Sequence, residues 1–145
     1  FYVAICDDRE AYCNPEYLSA MDEYVVCKPS EVTQHTSIDK NTYVAAVTRG
    51  LPVDLPLLPA LLVTEAAYIG LIGSCRRWAL TAKALKAEHG LDDASLQRVY
   101  APIGLELQAE TPHEIAISIM AQMIMLRHGG TGQPMQWLGE VGEAE

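Results

Sequence analysis

The sequence predicts an α/β fold of the Rossmann type, a doubly wound parallel sheet with helices on both faces. Four short apolar runs rich in valine, isoleucine and tyrosine alternate along the chain with segments of helical periodicity, and strands buried on both faces read as such continuous runs. The length of 145 residues, half of them hydrophobic, suits one domain with a real core. We expect the domain to occupy residues 1–128 and a flexible tail to occupy residues 129–145.

The first three strands are predicted from apolar runs that end at polar residues. They cover Phe1–Cys6, Glu23–Cys27 and Thr42–Thr48. A short helical piece is expected near Glu16–Ala20, after an Asn-Pro turn. A second brief helix is expected to begin at Pro29, because proline suits the first turn of a helix.

A leucine-rich segment and a fourth strand follow. Asp54–Val63 has helical spacing, with Pro56 acceptable in the first turn, whereas Pro59 is expected to distort or shorten the helix. The run AYIGLI, Ala67–Ile72, is the fourth predicted strand. This helix and strand continue the alternation that is typical of the predicted fold class.

The last third of the chain carries clear signals for helix ends. A helix from Ser74 to about His89 is expected to end at Gly90, and a short one is expected at Asp93–Arg98. After an irregular loop over Ala101–Gln108, the T-x-x-E capping box that opens Thr111–Arg127 predicts a long final helix. We expect one face of that helix to be shared by Ile115, Ile119, Met123 and Leu126.

Charge and hydropathy exclude several classes of protein. Ten lysine and arginine residues stand against 19 aspartate and glutamate residues, a formal net charge of −9, which argues against a general nucleic-acid or anionic-membrane partner. No apolar run reaches the length of a membrane span and no signal-peptide pattern is present, so the cytoplasm is the expected location. The cysteines and histidines lack metal-ligand spacing, so no metal site is predicted.

The stretch GSCRR, at the end of the fourth strand, predicts an anion site. A strand that ends at Gly73 and Ser74 and opens a helix presents backbone N–H groups at the positive end of the helix dipole, and Arg76 and Arg77 add donors and charge. The alternative is that the glycines only allow close packing and the arginines are solvated. Cys75, in the first helical turn beside two arginines, is either a reactive thiol or an unremarkable helix-start residue.

Other candidate ligand contacts lie where predicted strands end. Asp7 stands where Rossmann domains place the carboxylate that binds a ribose hydroxyl, and it is equally compatible with capping a loop. Thr48, Arg49 and Gly50 end the third strand, and Arg49 is predicted to pair with a ligand phosphate or with Asp54. No Ser/His/Asp or Cys/His constellation emerges from the spacing, so no catalytic residue is predicted.

Four strings resemble a known family: DDR from Asp7, TYVAAVTRG from Thr42, YIGLIGSCRR from Tyr68 and APIGLELQAETPHEIAISIMAQM from Ala101. They are similar to the Rossmann domain of the xanthine dehydrogenase accessory proteins, the XdhC/CoxF type, from about Val3 to Leu126. The resemblance implies a chaperone that binds molybdopterin, supports sulfuration of the molybdenum cofactor and inserts the cofactor into a xanthine dehydrogenase-type molybdenum hydroxylase. It implies that hydroxylase and a cysteine desulfurase as partners, and it allows a homodimer.

The cofactor-binding residues expected on these grounds are Asp7, Thr48, Arg49, Gly50, Gly70, Gly73, Ser74, Arg76, Arg77, Pro102, Ile103, Gly104 and Glu110. The family's first strand and its glycine-rich turn would precede Phe1 and are missing from this chain. That strand would lie between Phe1–Cys6 and Thr42–Thr48 in the sheet, so these two strands are expected not to be neighbours. The chain also departs from the family at Cys75, where a basic residue is usual, and at Leu51, where histidine is common.

Two other classes of function remain open. The same sheet would support an NAD(P)-dependent oxidoreductase or a nucleotide-sensing domain, because a fold does not fix a function. The absent glycine fingerprint counts against that alternative. An interaction module with a vestigial pocket is the third class.

Overall fold

In the part of the chain that the structure describes, five short strands form two separate parallel sheets. The computed structural model describes residues 1–136, and the chain divides into a unit of Phe1–Ile103 and a unit of Gly104–Glu145. All strands lie in the first unit: β1 (Ala4–Asp7), β2 (Glu23–Val26), β3 (Tyr43–Ala46), β4 (Tyr68–Leu71) and β5 (Val99–Tyr100). One sheet has the order β1-β2 and the other has the order β3-β4-β5.

The gap between β1 and β3 agrees with the expectation from the sequence. β1 pairs only with β2, and β3 only with β4, among the residues that the structure describes. The four predicted strands are all present, each a little shorter than its apolar run. The parallel pairing, with helices after β2, β3 and β4, confirms the Rossmann-like α/β class.

The helices of the first unit follow their strands. A 3-10 turn at Pro29–Glu31 leads into the short helix α1 (Val32–His35). The longer helices α2 (Leu51–Leu62) and α3 (Cys75–His89) follow β3 and β4, and the short helix α4 (Asp93–Leu96) follows α3. α3 ends as predicted at Gly90, which has left-handed backbone with φ of 64°. None of the described helices is long and apolar enough to cross a membrane.

Helix α2 continues through both of its inner prolines. It begins at Leu51, three residues before the predicted start, and it contains Pro56 and Pro59, so the expectation that Pro59 would shorten it is wrong. Its leucines explain the result: Leu58 and Leu61 are fully buried in the core. Apolar burial of this kind outweighs the cost of a proline inside a helix when enough side chains are buried.

The core of the first unit lies between β4 and the helices that flank it. All four residues of β4 are buried, and the largest cluster of buried side chains joins Ile69 and Leu71 of β4 with Leu58 and Leu61 of α2 and Leu85 of α3. This cluster fixes the carboxyl ends of β3 and β4 beside the starts of α2 and α3. Those four ends carry most of the predicted site residues.

One predicted helix is absent and another is present but ends early. Residues 16–20 form turns rather than a helix, because the Asn14 carboxamide oxygen accepts the N–H groups of Glu16 and Tyr17 and holds a local turn. The helix expected at Asp93–Arg98 ends at Leu96, and the two-residue strand β5 follows it. A strand of two residues has too little period to be recognised in a sequence.

The second unit contains the final helix, α5 (Pro112–His128). Its predicted capping box is present: Thr111 Oγ1 accepts the Glu114 N–H at 3.3 Å, and the Glu114 carboxylate accepts the Thr111 N–H at 2.8 Å. The predicted apolar face is only partly right, since the buried residues are Ser118, Ile119, Gln122 and Met123. Residues 131–136 of the predicted tail contain no helix or strand, and residues 137–145 lie outside the described residues.

Candidate functional site

Asp7, at the carboxyl end of β1, caps the loop that follows it. It accepts hydrogen bonds from the backbone N–H and the Nε of Arg9 at 2.9 Å each, and from Arg9 Nη2 at 2.9 Å. The guanidinium also lies over the ring of Tyr12, 4.1 Å from its centroid. The hydrogen bonds from Arg9 lower the pKa of Asp7 to about 2. Of the two roles predicted for Asp7, the structure displays the loop cap.

Arg49 reaches across the gap between the two sheets. Its Nη2 lies 2.7 Å from Asp8 Oδ1 and 2.9 Å from Asp8 Oδ2, so Asp8 is its partner and the predicted pairing with Asp54 is wrong. Half of the Arg49 side chain and about a third of Asp8 remain exposed. An ion pair this exposed contributes about 0–1 kcal/mol, so an anionic ligand can compete for Arg49 at small cost.

Asp54 binds Arg77 instead, in the interior of the unit. The Arg77 guanidinium meets the fully buried Asp54 carboxylate at 2.7 and 2.8 Å from Nη2 and at 3.0 Å from Nε. Thr48 joins them, because its Oγ1 donates to Asp54 and accepts from Arg77 Nη2 at 2.6 Å. Arg77 is therefore held mainly by Asp54 and Thr48 and is not free for a ligand. It ties the end of β3 to the starts of α2 and α3.

The start of α3 combines a glycine turn, a capped first helical turn and an exposed arginine. Ser74 caps the helix, accepting the Arg77 N–H on its Oγ at 3.2 Å. Gly73 has φ of 146°, and a Cβ there would stand 2.8 Å from Arg77 Cδ, so both its conformation and its space require glycine. Cys75 and Arg76 are exposed, and Arg76 has no ion pair among residues 1–136.

Gly70 and Ile103 pack together inside the first unit. A Cβ at Gly70 would lie 2.5 Å from the Ile103 side chain and 2.6 Å from the Tyr68 hydroxyl. Ile103 is buried and its N–H donates to the Leu71 carbonyl at 3.0 Å, while Pro102 follows a cis peptide bond from Ala101. These contacts give Gly70 and Ile103 a packing role beside the end of β4.

Gly104 and Glu110 belong to the second unit. The Gly104 N–H donates to Gln122 Oε1 at 2.8 Å, its φ is 99°, and a Cβ there would overlap Ser118 Oγ. Glu110 is exposed, and its N–H donates to Glu114 Oε2 at 3.0 Å. Both residues thus support the loop and the capping box that precede and open α5.

A cavity of about 630 Å³ lies between β1 and β3. The ion pair of Arg49 with Asp8 closes the gap at the carboxyl ends of the strands, and an edge-to-face contact of Phe1 with Tyr43, centroids 5.9 Å apart, closes it at the amino ends. Three of the predicted site residues line the cavity: Asp7, Thr48 and Arg49.

The sequence did not predict the carboxylate partners of Arg49 and Arg77. Asp8 was not proposed for Arg49, although its place directly after Asp7 at a strand end was a usable signal. Asp54 was considered only as a partner of Arg49. Its complete burial had no signal in the sequence, since the segment around it is simply leucine-rich.

Comparison with known proteins agrees with this architecture. The chain matches the XdhC Rossmann domain family over residues 1–123. It is 28% identical over 127 residues to a Bacillus subtilis (strain 168) protein whose name describes it as a probable xanthine dehydrogenase subunit, covering 88% of this chain and 36% of that protein. It is 30% identical over 90 residues to the molybdenum cofactor insertion chaperone PaoD of Escherichia coli (strain K12), covering 62% of this chain and 28% of that protein.

A solved structure is similar over most of the chain. It is a crystal structure of a protein described as a xanthine dehydrogenase from Bacillus halodurans, with a TM-score of 0.74 and 31% identity over 90% of this chain and 37% of that one. The chain therefore spans about a third of the length of the relatives it matches. Since the family match covers most of the sequence and the fold agrees with it, the chain belongs to the XdhC Rossmann domain family.

Proposed function

We propose that this chain is the Rossmann domain of a molybdenum-cofactor chaperone. In this proposal the protein binds molybdopterin, supports sulfuration of the cofactor and its insertion into a xanthine dehydrogenase-type molybdenum hydroxylase, and acts with a cysteine desulfurase. The family match over residues 1–123 carries the proposal. The names of two relatives support it, since one refers to xanthine dehydrogenase and the other to a cofactor insertion chaperone.

The residues at the start of α3 fit the phosphate that molybdopterin carries. Gly73 leaves the backbone open, Ser74 caps the first turn, and the exposed Arg76 supplies a guanidinium that no described carboxylate occupies. Backbone N–H groups at a helix N-terminus and a forked cation are the donors that phosphate prefers. Arg49 provides a second cation at the end of β3, with Asp8 as the partner that a phosphate would displace.

The proposed division of labour separates binding from positioning. Arg76 and Arg49 bind the anion, while Arg77 and the buried Asp54 hold Thr48 and the start of α3 in place. Arg77 is held by Asp54. Arg76, its neighbour, is exposed and provides the cation for the ligand. When bound, the cofactor supplies the metal chemistry, and this chain supplies affinity and protection.

We also propose that a further parallel strand completes the sheet between β1 and β3. The facing edges of these strands border the cavity of about 630 Å³, and backbone groups at a buried strand edge need partners. The relatives are longer than this chain, so either another part of the polypeptide or a second copy is available to supply the strand. Residues 1–128 with that strand would form the complete domain.

Binding of molybdopterin tests the site directly. Pterin fluorescence that co-elutes with the protein in gel filtration should show one cofactor per chain, and Arg76→Ala should weaken binding about tenfold or more, the usual effect of removing a charged hydrogen bond of roughly 1.5–3 kcal/mol. Lys83→Ala is the matched control, since it removes an exposed positive charge two turns further along α3. Equal affinities of the Arg76 and Lys83 variants would reject the assignment.

A further inference from the structure

Two thiols face each other between the first two strands. Cys6 lies in β1 and Cys27 directly follows β2, and their Sγ atoms are 3.5 Å apart, in hydrogen-bond contact. Cys6 is opposite Val25 in the parallel register, so Cys27, two residues further on, lies on the same side of the sheet. Cys27 is buried, whereas Cys6 is half-buried and lines the cavity beside β1.

We propose that Cys6 and Cys27 are an oxidisable pair that closes into a reversible disulfide. The sulfur atoms need to approach by about 1.5 Å to reach the bond length of roughly 2.05 Å, a movement that rotation about the two Cα–Cβ bonds can supply. Cys6 is half-buried and Cys27 is buried, so Cys6 is the more accessible thiol for a small oxidant. Because Cys27 lies just beyond β2, a small backbone shift there helps to bring the two cysteines to bonding distance while the paired residues of β1 and β2 stay in place.

The oxidant in this proposal is a small disulfide such as oxidised glutathione. One cysteine thiolate attacks a sulfur of that disulfide, its S–S bond breaks, and the released thiolate takes up the proton. The second cysteine then attacks the mixed disulfide, forms the Cys6–Cys27 bond and releases the second small thiol. The protein loses two electrons and two protons, and the small disulfide gains both.

The other two thiols provide controls within the same chain. Cys13 is buried nearby and donates its S–H to the Ile5 carbonyl at 3.5 Å, and Cys75 is exposed at the start of α3. Burial and the hydrogen bond with Cys27 raise the pKa of Cys6 to about 12, which makes exchange slow at neutral pH. The equilibrium is therefore best approached through long incubation at mildly alkaline pH.

The bond would have a structural consequence at the candidate site. Cys6 immediately precedes Asp7, which anchors the loop to Arg9, and Asp8, which pairs with Arg49. Closing a disulfide over the chain between Cys6 and Cys27 restricts the unfolded state and fixes the end of β1 against the end of β2. Oxidation should therefore stabilise this edge of the fold.

A redox titration tests the proposal. The Cys75→Ser protein, which keeps three cysteines, is equilibrated with mixtures of reduced and oxidised glutathione, quenched with acid, unfolded and labelled with N-ethylmaleimide. Intact mass should show the number of maleimide adducts falling from three to one in a single transition, with no glutathione attached to the protein. The melting temperature of the oxidised form should rise by several degrees.

Further variants identify the pair. In the same background, Cys13→Ser should keep the transition, with adducts falling from two to none, whereas Cys6→Ser and Cys27→Ser should hold two adducts in every mixture. Cys6→Ala and Cys27→Ala replace these if a serine variant fails to fold. Three adducts throughout the titration, or a transition that survives without Cys6 or without Cys27, would overturn the proposal.

Discussion

Replacing Arg77 with alanine removes the guanidinium that neutralises the buried carboxylate of Asp54. Three hydrogen bonds from Arg77 to Asp54, with donor–acceptor distances of 2.7 to 3.0 Å, are lost together. The Asp54 carboxylate has no exposed surface. Of its two side-chain partners, Arg77 and Thr48, it keeps only the hydrogen bond from the Thr48 hydroxyl. The variant therefore places an uncompensated charge inside the first unit, beside the end of β3 and the starts of α2 and α3.

The expected loss of stability follows from the burial of the two partners. Breaking a buried ion pair from one side costs about 3–5 kcal/mol. Because 24% of the Arg77 side chain is exposed, water can relieve part of the charge, so we expect the lower end, about 3 kcal/mol. With an m-value of about 2 kcal/mol per molar urea, the unfolding midpoint should fall by roughly 1.5 M.

Urea unfolding followed by far-UV circular dichroism measures this loss. Arg76→Ala is the matched control, because Arg76 is the exposed neighbour on the same helix, and it should change stability by less than about 0.5 kcal/mol. Asp54→Ala combined with Arg77→Ala should be less destabilising than the sum of the two single variants. If the free energy of unfolding of Arg77→Ala lies within about 1 kcal/mol of that of the parent, Arg77 behaves as a surface residue and the positioning role is refuted.

Three further results are expected. Arg9→Ala should move the Asp7 pKa, followed by NMR, from about 2 toward its ordinary 3.8; the stability that Arg9 contributes through Asp7 should be fully present above about pH 4 and vanish toward pH 2, and an unmoved pKa would contradict this. Gly70→Ala should lower stability by about 1–3 kcal/mol through overlap with Ile103, whereas Gly130→Ala, with ordinary contacts of 3.6 Å or more, should not, and equal effects would be contrary evidence. In the isolated chain, without the proposed further strand, amide hydrogens of β1 and β3 that face the gap should exchange much faster than those of β4, and equal protection would contradict the unpaired edges of β1 and β3.

Local signals in the sequence were sufficient for most elements. The strands β1 to β4 follow from short runs of apolar residues that favour strands. Of these four, β4 is the strand that is buried at every residue. The ends of α3 and α5 follow from Ser74, Gly90 and the Thr111 capping box, whose hydrogen bonds reach only three or four residues along the chain. Hydrogen bonds of such short range can be predicted from residues that are neighbours in the sequence.

The charged pairs of the candidate site are a different case. Arg77 meets Asp54 across 23 residues, and Arg49 meets Asp8 across 41. Which carboxylate pairs with each arginine depends on how β3, α2 and α3 pack. The sequence contains several carboxylates that could form an ion pair with an arginine, so it does not identify the partner. The capped turn at Gly73 and Ser74 was predictable because it depends on neighbouring residues. That Arg77 pairs with a buried carboxylate while Arg76 stays exposed was not predictable, because it depends on how the core packs.

Transfer of cofactor to a client is the most direct test of the proposed function. The purified protein, loaded with molybdopterin-type cofactor and supplied with sulfide, is mixed with an apo molybdenum hydroxylase of the xanthine dehydrogenase type, and substrate turnover by the hydroxylase is followed against free cofactor at the same concentration. The account predicts faster and more complete activation with the protein than without it, a smaller gain with Arg76→Ala, and no turnover by the protein alone. Activation no better than with free cofactor, together with NAD(P)H-dependent turnover by the protein itself, would contradict the account.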